Sequence, residues 1–164
     1  MKLRKSLDLR VIFTFLYFAS VFVYVAVGFL PADAAKYDIA TNVVIPSIGL
    51  DADVATLHLE GDELLTPDFI VGRFTMAKHK TFLVGHASTV FRDLNQLEVG
   101  AEIWYDDSHY VVTDKAVREK STINMMELLK ETEKYTLVIM TCAGEDLGGG
   151  DATHRLIITA VIDE

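Results

Sequence analysis

Cys142 is the only cysteine in the chain, and it follows an apolar, β-branched run at residues 135–141. Such a run predicts a strand that ends near the thiol. A glycine-rich, acidic segment comes next, and Arg155 then opens a second apolar run at residues 156–158. A thiol at a strand end beside a loop is well placed to be a nucleophile. A lone cysteine is also often a small buried side chain, so its neighbours must decide between the two interpretations.

A nucleophilic cysteine needs a partner that lowers its pKa or accepts its proton, and histidine is the usual one. His86 is the best placed of the five histidines, because it follows the apolar run at residues 81–85 and would end a strand beside that of Cys142. Arg155 can supply charge and N–H donors to an oxyanion. His154 ranks second as the base, because it adjoins Arg155 on one strand and would point to the opposite face. Singly, each of these side chains is more often structural, so the prediction depends on their combination.

Residues 11–30 form an uncharged, mostly apolar run that is long enough as a helix to cross a bilayer. Four basic residues precede it within residues 1–10, so the positive-inside rule predicts a cytoplasmic N-terminus and an extracellular domain after Pro31. The alternative is a cleaved secretory signal, since residues 32–34 have a small-x-small pattern. The apolar run exceeds a typical signal core, which favours a retained single-pass anchor in the cell membrane. Both interpretations export the domain.

The charge of the exported part excludes one class of partner. The chain holds 15 basic and 24 acidic residues, a formal charge of −9. Four of the basic residues and one acidic residue precede residue 31, which leaves −12 for the remainder. Such a domain repels polyanions, so no nucleic acid partner is predicted. No acidic run has EF-hand spacing, and we predict no metal or cofactor; a requirement for Ca²⁺ is not readable from the sequence.

Residues 31–41 predict a linker, and residues 42–164 predict a domain of many short strands with brief helices. That pattern is typical of an all-β barrel or sandwich. Residues 42–46 predict an edge strand stopped by proline, and residues 101–105 and 109–113 predict a hairpin. Residues 91–97 have the spacing of a helical turn with one apolar face, and residues 122–134 predict a helix capped by Asn124.

The residues around the cysteine resemble the sortase signature, in which Thr-Leu-x-Thr-Cys is followed after a loop by arginine. Here the run at residues 138–142 keeps the spacing, with Ile139 in place of leucine. Residues 82–88 resemble the family's catalytic-histidine segment, and residues 44–54 resemble its opening strands. The pattern Phe-x-x-Leu-x-x-Leu-x-x-Gly that usually follows the histidine is also present, at Phe91, Leu94, Leu97 and Gly100. The resemblance covers residues 42–162.

The resemblance implies an eight-stranded sortase-type β-barrel and a cysteine transpeptidase. Cys142 would attack a backbone carbonyl in a sorting motif near the C-terminus of a secreted protein and form a thioacyl enzyme. His86 would protonate the leaving amine and later deprotonate an incoming amine of the cell envelope. Arg155 would hold the substrate and stabilise the oxyanion, and Thr141 would assist through its hydroxyl or backbone.

Several alternatives stay open at this stage. No Asp-Pro-Trp or Asp-Pro-Phe precedes the predicted barrel, which disfavours the pilin-polymerising class without fixing another. Residues 143–154 predict a loop that either closes over the substrate and selects a basic one or is a plain solvated loop. A transpeptidase acting on peptidoglycan stem peptides is a second enzyme hypothesis, although its Ser-His-Gly-Cys pattern is absent around Cys142. The non-enzyme hypothesis is an anchored β-barrel that binds an envelope component without turnover.

Overall fold

A computed structural model describes residues 37–57, 66–128 and 130–163. Within these ranges, eight strands close into a barrel in the order β1-β2-β3-β4-β7-β8-β6-β5, with β5 paired back to β1. The predicted eight-stranded all-β barrel is therefore confirmed. In chain order the strands are β1 (Ile39–Ile45), β2 (Leu50–Thr56), β3 (Val71–Ala77), β4 (Lys80–Val84), β5 (Glu102–Tyr105), β6 (Ser108–Glu119), β7 (Thr136–Gly148) and β8 (Asp151–Ile162).

The first strand differs from its prediction in two ways. β1 begins at Ile39, inside the segment predicted as a linker, and it pairs with both β2 and β5. It is therefore not an edge strand, because closure of the barrel gives every strand two neighbours. Pro46 still ends the strand, since it opens a short 3₁₀ turn at Pro46–Ile48.

Two strand pairs in the barrel are parallel, β2 with β3 and β4 with β7. The other pairs are antiparallel, including the β5–β6 hairpin that the sequence predicts. Its two connecting residues, Asp106 and Asp107, have φ values of 51° and 59°, as the common two-residue hairpin turn requires. The β4–β7 pair matters most for function, because parallel strands bring their C-terminal ends to the same end of the barrel.

Side chains alternate between the barrel interior and its outer face. The interior is filled by aliphatic residues, among them Val43, Val54, Leu83, Leu137, Ile139 and Ile158, each fully buried. On the outer face, Phe82, Val138 and Ile157 form a smaller buried cluster against which Leu128 packs. Leu128 ends the helix α1 (Met125–Leu128). This arrangement fixes the register of β7 and β8, which carry Cys142 and Arg155, and of β4, which ends two residues before His86.

The two predicted helical segments are shorter than the sequence indicates. The turn at residues 91–97 contains one 3₁₀ turn, Leu94–Gln96, and its three apolar side chains are buried as predicted. Asn124 Oδ1 accepts a hydrogen bond from the N–H of Met126 at 3.0 Å, so it caps α1 as predicted. The helix does not begin at residue 122, because Ile123 is extended and separates it from the 3₁₀ turn Lys120–Thr122.

The predicted membrane anchor at residues 11–30 lies outside the described residues. Within the ranges that are described, none of the helices is long and apolar enough to cross a membrane.

Candidate active site

The parallel register of β4 and β7 brings His86 and Cys142 to the same level. The last residue pair of these strands is Val84 with Met140. His86 and Cys142 each lie two residues further along, on the outer face of the barrel. Both side chains line one cleft with a volume of about 190 Å³. The two residues that the sequence predicts as base and nucleophile are thus brought together.

The placement of Cys142 within its strand differs from the prediction. β7 continues beyond Cys142 to Gly148, so the thiol lies inside a strand and not at its end. The predicted loop at residues 143–154 is likewise wrong, because β7 and β8 stay paired until a tight turn at Gly149 and Gly150. Glycines at positive φ, Gly144 among them, accommodate the irregular register in this part of the hairpin. The hairpin end forms one wall of the cleft and supplies Asp146 and Gly150 to its lining.

Cys142 is partly exposed, and it is the free cysteine of the chain. Its Sγ donates a weak hydrogen bond to the carbonyl oxygen of Gly150, at 3.5 Å. This contact directs the thiol across the cleft toward the hairpin turn. A partly exposed thiol beside a histidine meets the steric requirement for attack on a substrate carbonyl.

His86 is held by the segment that precedes β3. Its Nε2 lies 3.1 Å from the carbonyl oxygen of Thr66 and 3.8 Å from Oδ1 of Asp68. Because a carbonyl oxygen can only accept, Nε2 is the nitrogen that carries the proton. Nδ1 is then the nitrogen free to exchange a proton with a reacting group. The Asp68 side chain is 68% exposed, so solvent screens its interaction with the imidazole ring.

Gly85 and Thr141 fix the His86 segment against β7. A Cβ at Gly85 would lie 2.6 Å from Val90 and 2.8 Å from the Phe91 ring, so only glycine permits this packing. Thr141 is 5% exposed, and its Oγ1 donates a 2.7 Å hydrogen bond to the Gly85 carbonyl. Because this hydroxyl is on the interior face, opposite Cys142, it is not available to an oxyanion. The Thr141 side chain therefore tethers the His86 segment, which leaves only the backbone of Thr141 for the predicted assistance.

Arg155 lies directly across the hairpin from Cys142 and shares its outer face. Its guanidinium, however, does not line the cleft. Nη2 donates to Oδ1 of Asp151 at 2.6 Å, and Nη1 donates to the carbonyl oxygens of Ala152 and His154, both at 2.9 Å. The backbone register therefore places Arg155 beside Cys142, whereas its charged group is turned toward Asp151.

Asp151 is shared between two cations. Lys120 Nζ donates to its Oδ2 at 2.6 Å, while Arg155 takes Oδ1. Hydrogen bonds from Lys120 first, then from Arg155 and the Ala152 N–H, hold the pKa of the Asp151 carboxyl well below its usual range. The carboxylate is consequently ionised at neutral pH.

His154, ranked second as the base, lies outside this arrangement. It pairs with Ala143, on the face of the hairpin opposite Cys142 and Arg155. Its Nδ1 is 2.8 Å from Oγ1 of Thr153, and the side chain does not line the cleft.

The fold and the geometry of this cleft agree with the family comparison. The sequence model of the Sortase domain family matches residues 43–163. The chain belongs to the sortase family. No curated protein matches the sequence.

Solved structures of sortases share the fold of this sortase at low sequence identity. Sortase A from Listeria monocytogenes is 16% identical with a TM-score of 0.58, over 77% of this chain and 88% of that chain. Sortase C1 from Streptococcus suis is 20% identical with a TM-score of 0.61, over 80% and 76%. Sortase C-1 from Actinomyces oris is 21% identical with a TM-score of 0.57, over 77% and 74%. The similarity extends to class A and class C sortases alike, so it establishes the fold and not the class.

Asp151 is the residue of this site that the sequence prediction missed. It precedes Arg155 by four residues, and residues four apart on a strand lie on the same face. The four-residue spacing therefore indicates that Asp151 and Arg155 can form an ion pair. This pair was not predicted because the sequence indicated a loop at residues 143–154, and side chains in a loop do not alternate between two faces.

Proposed function

We propose that this sortase is a cysteine transpeptidase that cleaves a C-terminal sorting motif of secreted proteins and transfers the acyl group to an amine of the cell envelope. The observation that carries the proposal is the cleft shared by Cys142 and His86, formed by the parallel β4–β7 pair in a sortase barrel. This cleft supplies a nucleophile and a group that moves protons within one substrate-sized space.

The first half-reaction begins when Cys142 gives its thiol proton to Nδ1 of His86. The sulfur attacks a backbone carbonyl of the sorting motif, and a C–S bond forms. When the tetrahedral intermediate collapses, the C–N bond breaks and Nδ1 returns the proton to the leaving amine. The product is a thioacyl enzyme. In the second half-reaction an envelope amine attacks the thioester, Nδ1 accepts its proton, and Cys142 leaves with the electron pair of the C–S bond.

Arg155 would stabilise the substrate carbonyl and its oxyanion. To do so, its guanidinium must first move away from Asp151. Its Nη2 has to leave Asp151, 2.6 Å away, before it can reach the cleft. Lys120 bonds the other oxygen of the same carboxylate, so Asp151 stays paired when the arginine departs. In this proposal substrate binding exchanges one ion-pair partner of Arg155 for a charge-assisted hydrogen bond to the substrate.

The N-terminal segment completes the proposal. Residues 11–30 anchor the protein in the cell membrane with the basic residues inside, which places the barrel outside the cell. There it would meet secreted proteins and the amine acceptor. Fractionation and N-terminal sequencing of the expressed chain test this: an intact N-terminus in the membrane fraction is expected, whereas a mature protein that begins near Ala35 would show cleavage.

Intact mass spectrometry tests the activity. The full chain is incubated with a pool of Leu-Pro-x-Thr-Gly-like peptides, and Cys142→Ala serves as the matched control. We expect an acyl adduct on Cys142 that disappears when an amine is added, and its mass reports the motif. If no adduct forms and thiol alkylation is equally fast in His86→Ala, the protein is a binding module without turnover. An adduct from peptidoglycan stem peptides only would favour the second enzyme hypothesis.

A further inference from the structure

A second cavity opens at the end of the barrel opposite Cys142. Thr81 and Tyr135 line it, and they lie at the starts of β4 and β7, whereas His86 and Cys142 lie at or beyond Val84 and Met140. The cavity has a volume of about 240 Å³. Polar side chains dominate its lining, in contrast to the aliphatic barrel interior behind it.

Arg73 provides the positive charge of this cavity. It pairs with Leu83 on β4 and shares the interior face with Val71. Its Nε donates to Oγ1 of Thr56 at 3.0 Å, and its Nη1 donates to the hydroxyl of Tyr105 at 3.2 Å. Both partners are neutral. Across the described ranges, no carboxylate forms an ion pair with Arg73. Its guanidinium is therefore held by hydrogen bonds to neutral hydroxyls and has no direct ion-pair partner in those ranges.

Tyr110 supplies the second observation. It is 7% exposed and belongs to the barrel core, yet it lines the cavity. Among the described residues its hydroxyl has no hydrogen-bond partner. Burial raises the pKa of Tyr110, so the phenol keeps its proton at neutral pH and is a donor. The hydroxyl of Tyr105 accepts from Arg73 and retains its own hydrogen for donation. The cavity thus presents a cation and two phenolic donors, and the charged acceptor of its lining is the exposed Asp106 carboxylate.

We propose that this cavity is a binding site for a small carboxylate, held by Arg73 and the Tyr110 hydroxyl. A guanidinium with unused N–H groups and phenolic donors is the chemistry that recognises an oxyanion. Asp106, an exposed residue of the β5–β6 turn, also lines the cavity, and its charge disfavours a dianion. A singly charged carboxylate is therefore preferred over phosphate. The site involves neither Cys142 nor His86, so it goes beyond the proposed transpeptidation.

The NMR signals of the tyrosine side chains report binding directly. The chain contains six tyrosines, so the spectrum holds six sets of signals. The full chain is labelled with ¹³C-tyrosine, Tyr110→Phe assigns the Tyr110 signal, and acetate is titrated at constant ionic strength against chloride. We expect a saturable shift of the Tyr110 signal, with a dissociation constant on the order of 1–10 mM for so small a ligand. A non-saturating shift that chloride reproduces would overturn the proposal.

Arg73→Gln is the deciding variant, since glutamine keeps a donor for Thr56 or Tyr105 while removing the charge. It should abolish saturation, and Arg73→Lys, which retains the charge, should restore it in part. Equal saturation in Arg73→Gln would overturn the assignment. If Arg73→Gln fails to fold, Tyr110→Phe decides instead, by weakening the acetate-dependent shift of Tyr105 or Tyr135. Tighter binding of phosphate than of acetate would contradict the choice of a monoanion.

Two further experiments identify the type of carboxylate that binds and test whether the two cavities are independent. N-acetylalanine that binds more tightly than acetate indicates a peptide C-terminus, and equal affinity indicates a free carboxylic acid; both support a carboxylate site. Cys142→Ala should bind acetate as the parent does, because the cavities lie at opposite ends. If the parent chain binds acetate but shows no transpeptidation, only the proposed function is rejected. If the parent shows transpeptidation but no saturable acetate binding, only this site is rejected.

Discussion

The two ends of the barrel each hold a cavity and an arginine, but the arginines differ in their partners. Arg155 is bound to the Asp151 carboxylate and stands outside the cleft that His86 and Cys142 line. Arg73 is bound to two neutral hydroxyls and lines its cavity directly. An arginine whose charge is already paired must move before it can serve a ligand. One without a counter-ion can bind an anion where it lies. At the Cys142 end, Arg155 must therefore move before it can contact a substrate. At the opposite end, Arg73 can bind a ligand without moving.

Removing the proposed nucleophile gives the sharpest test of this difference. Cys142→Ala should lower the rate of peptide cleavage by about 10⁴-fold or more, because no other group at that end can form the thioacyl bond. Cleavage is followed by chromatography of a substrate found in the mass-spectrometric screen. If the variant still formed an acyl adduct, the reactive group would lie elsewhere and the contrast between the two ends would collapse.

Removing the proposed proton carrier, His86, should have the next largest effect. His86→Ala should reduce turnover by about 10²- to 10⁴-fold, the usual contribution of general acid–base catalysis. The alkylation rate of Cys142 is measured alongside turnover to report directly on the thiol. His154→Ala is the matched control, because that histidine lies on the other face of the hairpin. Full activity in His86→Ala would refute the assigned mechanism.

Removal of the buried Thr141 hydroxyl should lower the stability of the protein. Thr141→Val leaves the Gly85 carbonyl without its 2.7 Å donor. We expect the free energy of unfolding to fall by about 1–3 kcal/mol, because a buried acceptor loses its partner. Denaturant titration measures this change, and Thr141→Ser, which keeps the hydroxyl, should be closer to the parent. An unchanged stability would mean that this hydrogen bond does not tether the His86 segment.

The ion pair of Arg155 should show its effect in KM. Asp151→Asn removes the charge that competes for the guanidinium, so KM for the peptide should fall several-fold while kcat changes little, a shift on the order of 1 kcal/mol. Lys120→Met, which removes the other partner of Asp151, should not lower KM. A lower kcat with unchanged KM in Asp151→Asn would instead show that Asp151 positions Arg155 productively.

The same carboxylate makes a pH-dependent contribution to stability. The folded-state pKa of Asp151 is depressed, so its stabilising effect is present above the unfolded value near 4 and is lost as pH falls below it. Melting temperatures of the parent and Asp151→Asn should therefore differ by a constant amount at neutral pH and converge in acid. A difference that persists unchanged below pH 3 would contradict the ion pair.

The smallest effect is expected from Tyr110→Phe. Its hydroxyl has no partner among the described residues, so its removal should change the free energy of unfolding by no more than about 0.5 kcal/mol. Because burial raises the folded-state pKa of Tyr110, the parent should lose stability above about pH 10, where only the unfolded chain ionises, and the variant should lose less. A large loss at neutral pH would show that the hydroxyl is structurally engaged.

Much of the fold could be predicted because the strands near the site have strong local signals. The apolar runs that become β4 and β7 are evident, and their resemblance to sortases supplies the barrel. The juxtaposition of His86 and Cys142 follows from two runs that end alike. β3 could not be predicted in this way, since its interior positions include Arg73 as well as Val71 and interrupt the apolar alternation.

The orientation of Arg155 and the extent of its hairpin were beyond the sequence for a different reason. A glycine cluster with acidic residues normally indicates a loop, but pairing across β7 and β8 overrides that local tendency. Which acceptor a guanidinium binds depends on side-chain geometry in the folded state, so the role of Asp151 emerges only from the structure. The polar cavity around Arg73 depends likewise on residues from five or more separate strands and turns.

The parallel β4–β7 pair has a consequence for how the protein acquires its activity. Thr141 and Gly85, which join the two halves of the cleft, are 56 residues apart in sequence. Contacts this distant raise the contact order, and barrels of this kind fold in about milliseconds to seconds. When β4 has emerged from the ribosome and β7 has not, the exposed part of the nascent chain contains His86 but lacks Cys142. Catalytic competence should therefore appear late during synthesis, in the same step as barrel closure, and a stalled or truncated chain should be inert.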